Sequence, residues 1–284
     1  MRPLEPILVA DLFPELEAAL LELLRGLDDE DWGKPTACAR WTVQDVAAHL
    51  LDTALRRLSF QRDGHSLRPP GAAPIAGWDD LVRFVNDLNA EWVAAARRLS
   101  PRVLTDLLAA TSPALCDLLA GLDPFAPAAF GVSWAGEETS PNWFDVAREY
   151  TERWHHQQQI RDATARPGLT GRRHLNPVLD AFVRALPHRY REVAAPAGSR
   201  LELEISGEAG GVWTLRREGD SWRLYSGRDD GSSETATAAV HLDQDAAWRL
   251  FTKGLDRATA EAHLAVEGDP ALARPLFDTV AVIA

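Results

Sequence analysis

A carboxylate and an imidazole lie four residues apart in the segment 149–162, which has the character of a helix. One helical turn separates Glu152 from His156, so the two side chains lie roughly 6 Å apart on one face and can both reach one divalent ion. His155 lies three residues from Glu152 and could share a ligand set too, so spacing does not decide between the adjacent imidazoles. The pattern predicts two ligands of a metal site and requires a third from elsewhere.

The search for the third ligand begins with the eight histidines of the chain. Five lie in a loop or lack a suitable partner one turn away, and we interpret them as surface or satisfied histidines: His65, His174, His188, His241 and His263. His49 remains, at the border of the apolar face of a predicted helix. With Glu152 and His156 it gives two imidazoles and one carboxylate, a set that binds zinc, nickel or iron(II) and leaves positions open for water or substrate. Open positions indicate catalysis.

The alternative is that these side chains face water. On a helical wheel, the segment 141–165 carries tryptophan and other apolar side chains on one face. Roughly opposite lies a polar stripe formed by Asp145, Glu149, Glu152 and His156. Amphipathicity alone predicts that the polar stripe is exposed, and an exposed Glu–His pair is common. Because a second domain could cover the stripe and turn it into a cleft, the pattern leaves both interpretations open.

Helical periodicity dominates the first part of the chain. Apolar residues recur at helical spacing in four long segments, at 8–27, from about 42, at 78–99 and at 140–165. The pairs Ser100-Pro101 and Ser112-Pro113 each read as a cap followed by a first helical position, which predicts two short helices over 101–121. Four long helices with short additional ones indicate a four-helix bundle.

The pattern changes after Gly171. A helix is predicted over 176–190, and alternation with a period near two then predicts strands at 201–205, 212–216, 221–225 and 239–242. Further helical patterns follow at 245–251, 257–263 and 270–282. The sequence therefore predicts an α+β multidomain protein, in which residues 1–167 form a helical bundle and residues 174–284 form a smaller α+β domain.

Composition limits the classes of partner. The chain has 284 residues and a net charge of −12, and it has no Lys/Arg cluster, so a nucleic-acid partner is not expected. We also find no secretory signal pattern and no apolar run near the roughly 20 residues of a membrane span. The protein is therefore predicted to be cytoplasmic. Cys38 and Cys116 are too few and too isolated for a disulfide framework or a thiolate zinc site, and they are interpreted as small buried apolar groups.

Three stretches carry a resemblance to a known family. Trp41 to Leu50, the Glu152–His156 pair, and Trp248 to Gly254 with Val266 to Asp269 resemble the mycothiol-dependent maleylpyruvate isomerase family. Residues 1–167 are similar to its metal-binding DinB-like four-helix domain. Residues from about 174 to 284 are similar to its C-terminal domain, which is related to sterol-carrier-like folds.

The resemblance implies a ligand set and a cosubstrate. The ligands in that family are a histidine ending a W-x-V-x-D-V-x-x-H pattern and a Glu-x-x-x-His pair on the last long helix. This carries over to His49, Glu152 and His156, and His155 falls outside the pattern. Zinc is implied as the usual metal, although nickel or iron would also suit the ligands, and mycothiol, a low-molecular-weight thiol, is implied as cosubstrate.

We therefore expect a metal-dependent enzyme that uses a low-molecular-weight thiol for isomerisation or S-transfer on a small electrophilic substrate. The alternative is a non-catalytic metal-binding or small-molecule-binding module, including a regulatory one, on the same fold. Beyond the metal ligands, the sequence assigns no catalytic residue. A dicarboxylate substrate would need cationic side chains, and the sequence offers Arg40, Arg161, Arg223 and Arg249 without placing any of them in the site.

Asp45, one turn before His49, has two interpretations. It could accept the imidazole N–H of His49 and fix its tautomer. It could instead be a first-turn carboxylate that the helix dipole favours.

Overall fold

The computed structural model describes residues 1–68, 71, 74–229, 236–255, 259 and 264–282. The chain forms two compact units. The helical unit comprises residues 8–129 and 141–169, and the sheet unit comprises residues 1–7, 130–140 and the chain from 170 onwards. The predicted α+β architecture with an N-terminal helical bundle is confirmed. The predicted domain limits, 1–167 and 174–284, stay a prediction.

Five long helices make up most of the helical unit: α1 (Phe13–Arg25), α2 (Val43–Arg57), α3 (Trp78–Ala96), α4 (Pro101–Ala120) and α5 (Asn142–Ala163). A π-helical turn, Leu58–Arg62, follows α2 directly. Side chains from α1, α2, α4 and α5 share one apolar core, which includes Leu20, Leu24, Val46, Leu50, Leu104, Leu108 and Ile160. This core fixes α2 and α5 relative to each other, and these two helices carry the candidate site.

The start of α2 is set by a capping box. The Thr42 Oγ1 accepts the Asp45 backbone N–H at 3.4 Å, and the Asp45 carboxylate accepts the Thr42 backbone N–H at 3.1 Å. These bonds satisfy two backbone donors that would otherwise lack partners. The predicted start of this helix is confirmed, and His49 lies about two turns beyond it.

The prediction of two short helices over 101–121 is wrong, because α4 is a single helix that runs through Pro113. A proline inside a helix removes one backbone N–H and normally bends or breaks the helix. Here Ser112 donates its hydroxyl to Glu17 at 2.6 Å, and Leu108 and Leu115, on either side of the proline, are both buried. Tertiary packing of both halves therefore outweighs the local signal.

Among the described residues, α4 is also the one helix that is long and apolar enough to cross a membrane. The core helix of a bundle can pass the same test of length and composition. Leu104, Leu108, Leu115 and Leu119 of α4 are buried within the protein.

The polar stripe of α5 is not a solvated face. Asp145, at 0% exposure, receives both Nη atoms of Arg57 at 2.7 Å, and Arg57 also donates its Nε to Glu149 at 3.2 Å. Burial by itself raises the pKa of the Asp145 carboxyl, but the positive charges of Arg57 and Arg148 outweigh it and hold that pKa below its ordinary value. Asp145 and Glu149 can be buried because Arg57 of α2, together with Arg148 of α5 itself, supplies their counter-charges.

The sheet unit contains a mixed six-stranded sheet. Its strands are β1 (Arg2–Pro3), β2 (Arg200–Ser206), β3 (Gly211–Glu218), β4 (Ser221–Ser226), β5 (Ala238–Asp243) and β6 (Leu264–Gly268), in the order β1-β4-β3-β2-β5-β6. The β2 and β5 strands are parallel, and all other neighbours are antiparallel. Among its described residues, the helices are α6 (Arg172–Val183), α7 (Leu186–Arg189), α8 (Gln244–Phe251) and α9 (Pro270–Ala273).

The four strands predicted from alternation are present, but β1 and β6 were missed. The β1 strand has two residues, too few for a periodic pattern, and β6 is mostly exposed and so lacks buried alternation. The helix predicted over 176–190 is divided into α6 and α7, and the one predicted over 270–282 ends at Ala273 before a 3-10 segment, Arg274–Asp278. Apart from Thr259, the helix predicted over 257–263 lies outside the described residues.

The buried ion pair between α2 and α5 gives a stability prediction. In Arg57→Met, Asp145 and Glu149 lose the buried arginine that both contact and keep Arg148, which is partly exposed. The free energy of unfolding measured with urea at pH 7 should therefore fall by about 3–5 kcal/mol. Arg83→Met is the control, because Arg83 pairs with Asp80 on the surface, and it should cost less than about 1 kcal/mol. Equal losses in the two variants would contradict this account.

The same pair gives a prediction of pH dependence. Because the folded-state pKa of Asp145 lies below the ordinary value of 3.8, its ionisation stabilises the fold above that pH. That contribution is lost as the pH falls through the lower, folded-state pKa. The difference in unfolding free energy between the wild type and Asp145→Asn should therefore be largest near pH 7 and shrink below about pH 3.8, as measured by urea titrations across this range. A difference that grows on acidification would contradict the assignment.

Candidate metal site

Three polar side chains from α2 and α5 meet at one point in the helical unit. The Nε2 of His49 lies 3.0 Å from Oε1 of Glu152, and the Nε2 of His156 lies 3.1 Å from the same oxygen. The donor atoms of these residues all lie within 4.8 Å of one another. The structure thus brings together the three side chains that the sequence had grouped.

The two imidazoles of the site are shielded from solvent, whereas its carboxylate is partly exposed. The side chains of His49 and His156 are 4% and 9% exposed, whereas that of Glu152 is 23% exposed. The indole ring of Trp41 lies against both imidazoles, with its centroid 4.9 Å from that of His49 and 6.3 Å from that of His156. Water or a small ligand can therefore approach past the carboxylate, while the two imidazoles are shielded.

Burial and charge act on the three groups in different ways. Burial lowers the pKa of His49 to about 4, so this imidazole is neutral at pH 7. Burial also disfavours charge on His156, but the Glu152 carboxylate outweighs it and raises the pKa of His156. Burial by itself raises the pKa of Glu152, but the charge and hydrogen bonds of the two histidines hold that pKa well below its usual value. Glu152 is therefore an anion, as a metal ligand must be.

The spacing of the donor atoms fits a divalent ion. Two ligands at 2.0–2.2 Å from a tetrahedral ion are roughly 3.4 Å apart. The observed separations of 3.0 and 3.1 Å are a few tenths of an ångström shorter, a difference that small rotations of the side chains can supply. The donor set of two imidazole nitrogens and one carboxylate oxygen is also that of catalytic sites with open positions.

Gln159 connects the two adjacent histidines of α5. Its Oε1 lies 2.8 Å from the Nδ1 of His156, and its Nε2 lies 3.1 Å from the Nε2 of His155. Burial, followed by the nearby charge of His156, lowers the pKa of His155 to about 3, so His155 is neutral. The structure thus distinguishes the adjacent imidazoles, because the Nε2 of His156 faces Glu152 whereas the Nε2 of His155 faces the amide of Gln159.

Asp45 does not contact the imidazole of His49. Its carboxylate closes the capping box with Thr42 and accepts both Nε and Nη2 of Arg97, at 2.9 and 3.0 Å. The Nδ1 of His49 is buried and has no hydrogen-bond partner among the described residues. Of the two interpretations of Asp45, the structure supports the first-turn carboxylate.

The arginines singled out from the sequence have other contacts. Arg161 binds Gln157 and the backbone carbonyls of Ala19 and Pro167, Arg223 pairs with Glu218, and Arg249 pairs with Asp245. Arg40 is an exposed residue with a positive φ of 71°.

Sequence reasoning gave no role at the site to three residues: Trp41, which it named only as part of the resemblance, Arg56 and Gln159. Arg56 lies two turns after His49 on α2, and its charge contributes to the lowered pKa of that histidine. Gln159 lies three residues after His156, on the same helical face, and this spacing was the available signal.

Cys38 and Cys116 are both free thiols and are half-buried rather than fully buried. Burial raises the pKa of each thiol to about 11, so both are protonated at neutral pH. Neither cysteine belongs to the donor cluster among the described residues.

Comparisons with known proteins bear on this site directly. The sequence model of the mycothiol maleylpyruvate isomerase N-terminal domain matches residues 13–161, just over half of the chain, and this range contains all three donor residues. The chain therefore belongs to the mycothiol maleylpyruvate isomerase family.

Solved structures agree on the fold. The crystal structure of the mycothiol-dependent maleylpyruvate isomerase is similar to this chain with a TM-score of 0.51 and 14% identity, and the alignment covers 85% of this chain and 86% of that one. A mutant of the same enzyme gives a TM-score of 0.52 with the same identity and coverage. No curated protein matches the chain.

Asp45→Asn tests the interpretation of that residue. The change weakens the capping box and the ion pair with Arg97, so the free energy of unfolding should fall by about 1 kcal/mol. The affinity for zinc should stay within about twofold of the wild type, because Asp45 does not touch His49; a residue that orients a ligand would cost about tenfold or more. Thermal melts and zinc competition titrations measure the two quantities, and a tenfold loss of affinity would restore the other interpretation.

Proposed function

We propose that the protein is a metal-dependent enzyme that uses a low-molecular-weight thiol on a small electrophilic substrate. The observation that carries this proposal is the group of two shielded imidazole nitrogens and one partly exposed carboxylate on facing helices. A structural zinc site would use four protein ligands, whereas three ligands leave room for water or substrate. The open side, at Glu152, is where a thiol would enter.

His49, Glu152 and His156 would hold the ion, and zinc is the metal we propose. Nickel or iron(II) could use the same donor set. A divalent ion in this site would lower the pKa of a bound thiol, so that the nucleophilic thiolate predominates near neutral pH.

The residues of the chain prepare the site for this task. Burial keeps His49 neutral at pH 7. Its Nε2 can therefore bind a metal ion once the ring proton has moved to Nδ1, and no positive charge has to be removed from the imidazole first. Glu152 brings one negative charge, which offsets part of the charge of a divalent ion. The Trp41 ring covers both imidazoles and limits their contact with water.

Family membership suggests mycothiol as the thiol and maleylpyruvate as the first substrate to test. The thiolate sulfur would form a bond to one carbon of the cis double bond, and the electron pair of that double bond would move onto the conjugated carbonyl oxygen. Rotation about the new single bond, followed by return of the electron pair and loss of the thiolate, gives the trans isomer with no net oxidation or reduction. On a substrate that carries a leaving group, the same attack would give S-transfer.

A non-catalytic metal-binding or small-molecule-binding module is the alternative, because one fold can host sites with different functions. Turnover separates the two proposals. Purified, zinc-loaded protein should convert maleylpyruvate, or another electrophile with a conjugated double bond, only when a thiol is present. Mycothiol, bacillithiol and glutathione should be assayed in parallel. Absence of turnover with every pair, in protein that holds zinc, would favour the binding module.

The expected partners are the thiol and the small-molecule substrate, with no nucleic acid and no membrane. The cytoplasmic location stays a prediction.

The ligand assignment is tested by alanine variants. The wild type should carry about one divalent ion per chain, whereas His49→Ala and His156→Ala should lose it, because removing one of three ligands leaves a site too weak to compete. His241→Ala is the matched control, because His241 also pairs with a glutamate, Glu204 in the sheet unit, and it should keep the ion. Elemental analysis after dialysis measures the content, and full retention in both site variants would refute the assignment.

Metal should also stabilise the folded chain. A ligand that binds only the folded state at 100 times its dissociation constant adds about 2.7 kcal/mol to the free energy of unfolding. Chelator treatment should therefore lower the melting temperature of the wild type and leave that of His156→Ala unchanged. Equal shifts in the two proteins would place the stabilising metal elsewhere.

A further inference from the structure

We propose that Gln159 is a positioning residue whose amide holds the imidazole of His156 in the tautomer that can bind a metal ion through Nε2. This inference rests on the proposed metal site and deepens it. It concerns a residue that does not belong to the donor set and acts through one that does.

The contact between the two side chains selects the proton position. The amide Oε1 of Gln159 can only accept a hydrogen bond, and it lies 2.8 Å from the Nδ1 of His156. Gln159 therefore holds a proton on the Nδ1 of His156, and the proton that Nε2 donates to the Glu152 carboxylate, at 3.1 Å, is the one that a metal ion would replace. Both side chains are buried, so water does not readily replace this bond.

A second hydrogen bond fixes the orientation of the amide itself. The Nε2 of Gln159 lies 3.1 Å from the Nε2 of His155, which accepts the amide hydrogen. In the flipped orientation, the amide NH₂ group would face the Nδ1 of His156 and would require a lone pair there. The proton of a neutral His156 would then move to Nε2 and block metal binding. His155 therefore supports His156 through the amide, although it is not a ligand.

The other imidazole ligand has no such support. The Nδ1 of His49 is buried and lacks a partner among the described residues. Outer hydrogen bonds to ligating histidines commonly set the tautomer and ring orientation. Gln159 thus provides this outer hydrogen bond for His156 alone. Its removal would leave neither imidazole with a hydrogen bond at Nδ1.

Matched leucine variants test the role. Gln159→Leu keeps the approximate size and removes both amide groups, so the zinc affinity should fall about 10- to 100-fold in competition with a chromophoric chelator. Gln158→Leu is the control, because Gln158 is also buried on the same turn but accepts a hydrogen bond from the Leu169 N–H and, among the described residues, forms no hydrogen bond with an imidazole. Its zinc affinity should stay within about threefold of the wild type.

A conservative variant and a spectrum separate positioning from stability. The carboxylate in Gln159→Glu can still accept from the Nδ1 of His156, so affinity should return to within about tenfold of the wild type. In the cobalt(II)-loaded proteins, the visible ligand-field bands should shift in Gln159→Leu and match the wild type in Gln158→Leu. A purely structural role of Gln159 would leave these bands in place.

The outcomes distinguish this inference from the function on which it rests. Unchanged zinc affinity in Gln159→Leu, or equal losses in the two leucine variants, would overturn the role of Gln159 while leaving the metal site intact. If the leucine variant fails to fold, Gln159→Glu decides. A loss of zinc affinity of more than about tenfold in this variant would overturn the role, because it keeps the acceptor for the Nδ1 of His156. A wild-type protein that binds no divalent ion would overturn the metal site itself and this role with it.

Discussion

The burial of ionisable side chains along α5 is the constraint on which the helical unit depends. An unpaired charge in a protein interior costs several kcal/mol, so each buried carboxylate needs a positively charged partner. Asp145 and Glu149 are neutralised by Arg57 of α2 together with Arg148 of α5, and Glu17 of α1 pairs with Arg153 of α5. These ion pairs connect α5 to two neighbouring helices and restrict the ways in which the helices can pack.

Glu152 differs from the other acids of the stripe in the kind of partner it has. Arginine keeps its charge at any physiological pH, so the pairs of Arg57 and Arg153 are permanent. Glu152 instead lies between two imidazoles, whose nitrogens can release a proton and bind a metal ion. The same polar stripe thus has a permanently neutralised part, which holds the fold together, and a part with exchangeable partners, where chemistry is feasible.

The two parts are linked through the antiparallel packing of α2 and α5. His49 and Arg57 are eight residues apart on α2, about 12 Å along the helix axis. Their partners on α5 run in the opposite direction, from Glu152 back to Asp145. The bidentate pair of Arg57 with Asp145 therefore sets the register of the two helices and, with it, the approach of His49 to Glu152. This geometry explains how side chains from two distant parts of the chain are brought together at one site.

The sequence by itself determined the local features of this protein. Spacing alone placed Glu152 and His156 on one helical face, and Thr42 with Asp45 located the start of the helix that carries His49. Alternation with a period of two identified the strands β2, β3, β4 and β5. Each of these inferences depends on neighbours within a few residues, where backbone geometry fixes the outcome.

Only the tertiary structure decided what lies against each face. Periodicity shows which side chains share a side of α5 but not that Arg57 and His49 cover it, because those partners are about a hundred residues away in the chain. The continuity of α4 through Pro113 likewise depends on contacts with other helices. The choice between His155 and His156 depends on which imidazole turns its Nε2 towards Glu152 and which turns its Nε2 towards Gln159. Such choices follow from the packing of whole helices, which no local pattern contains.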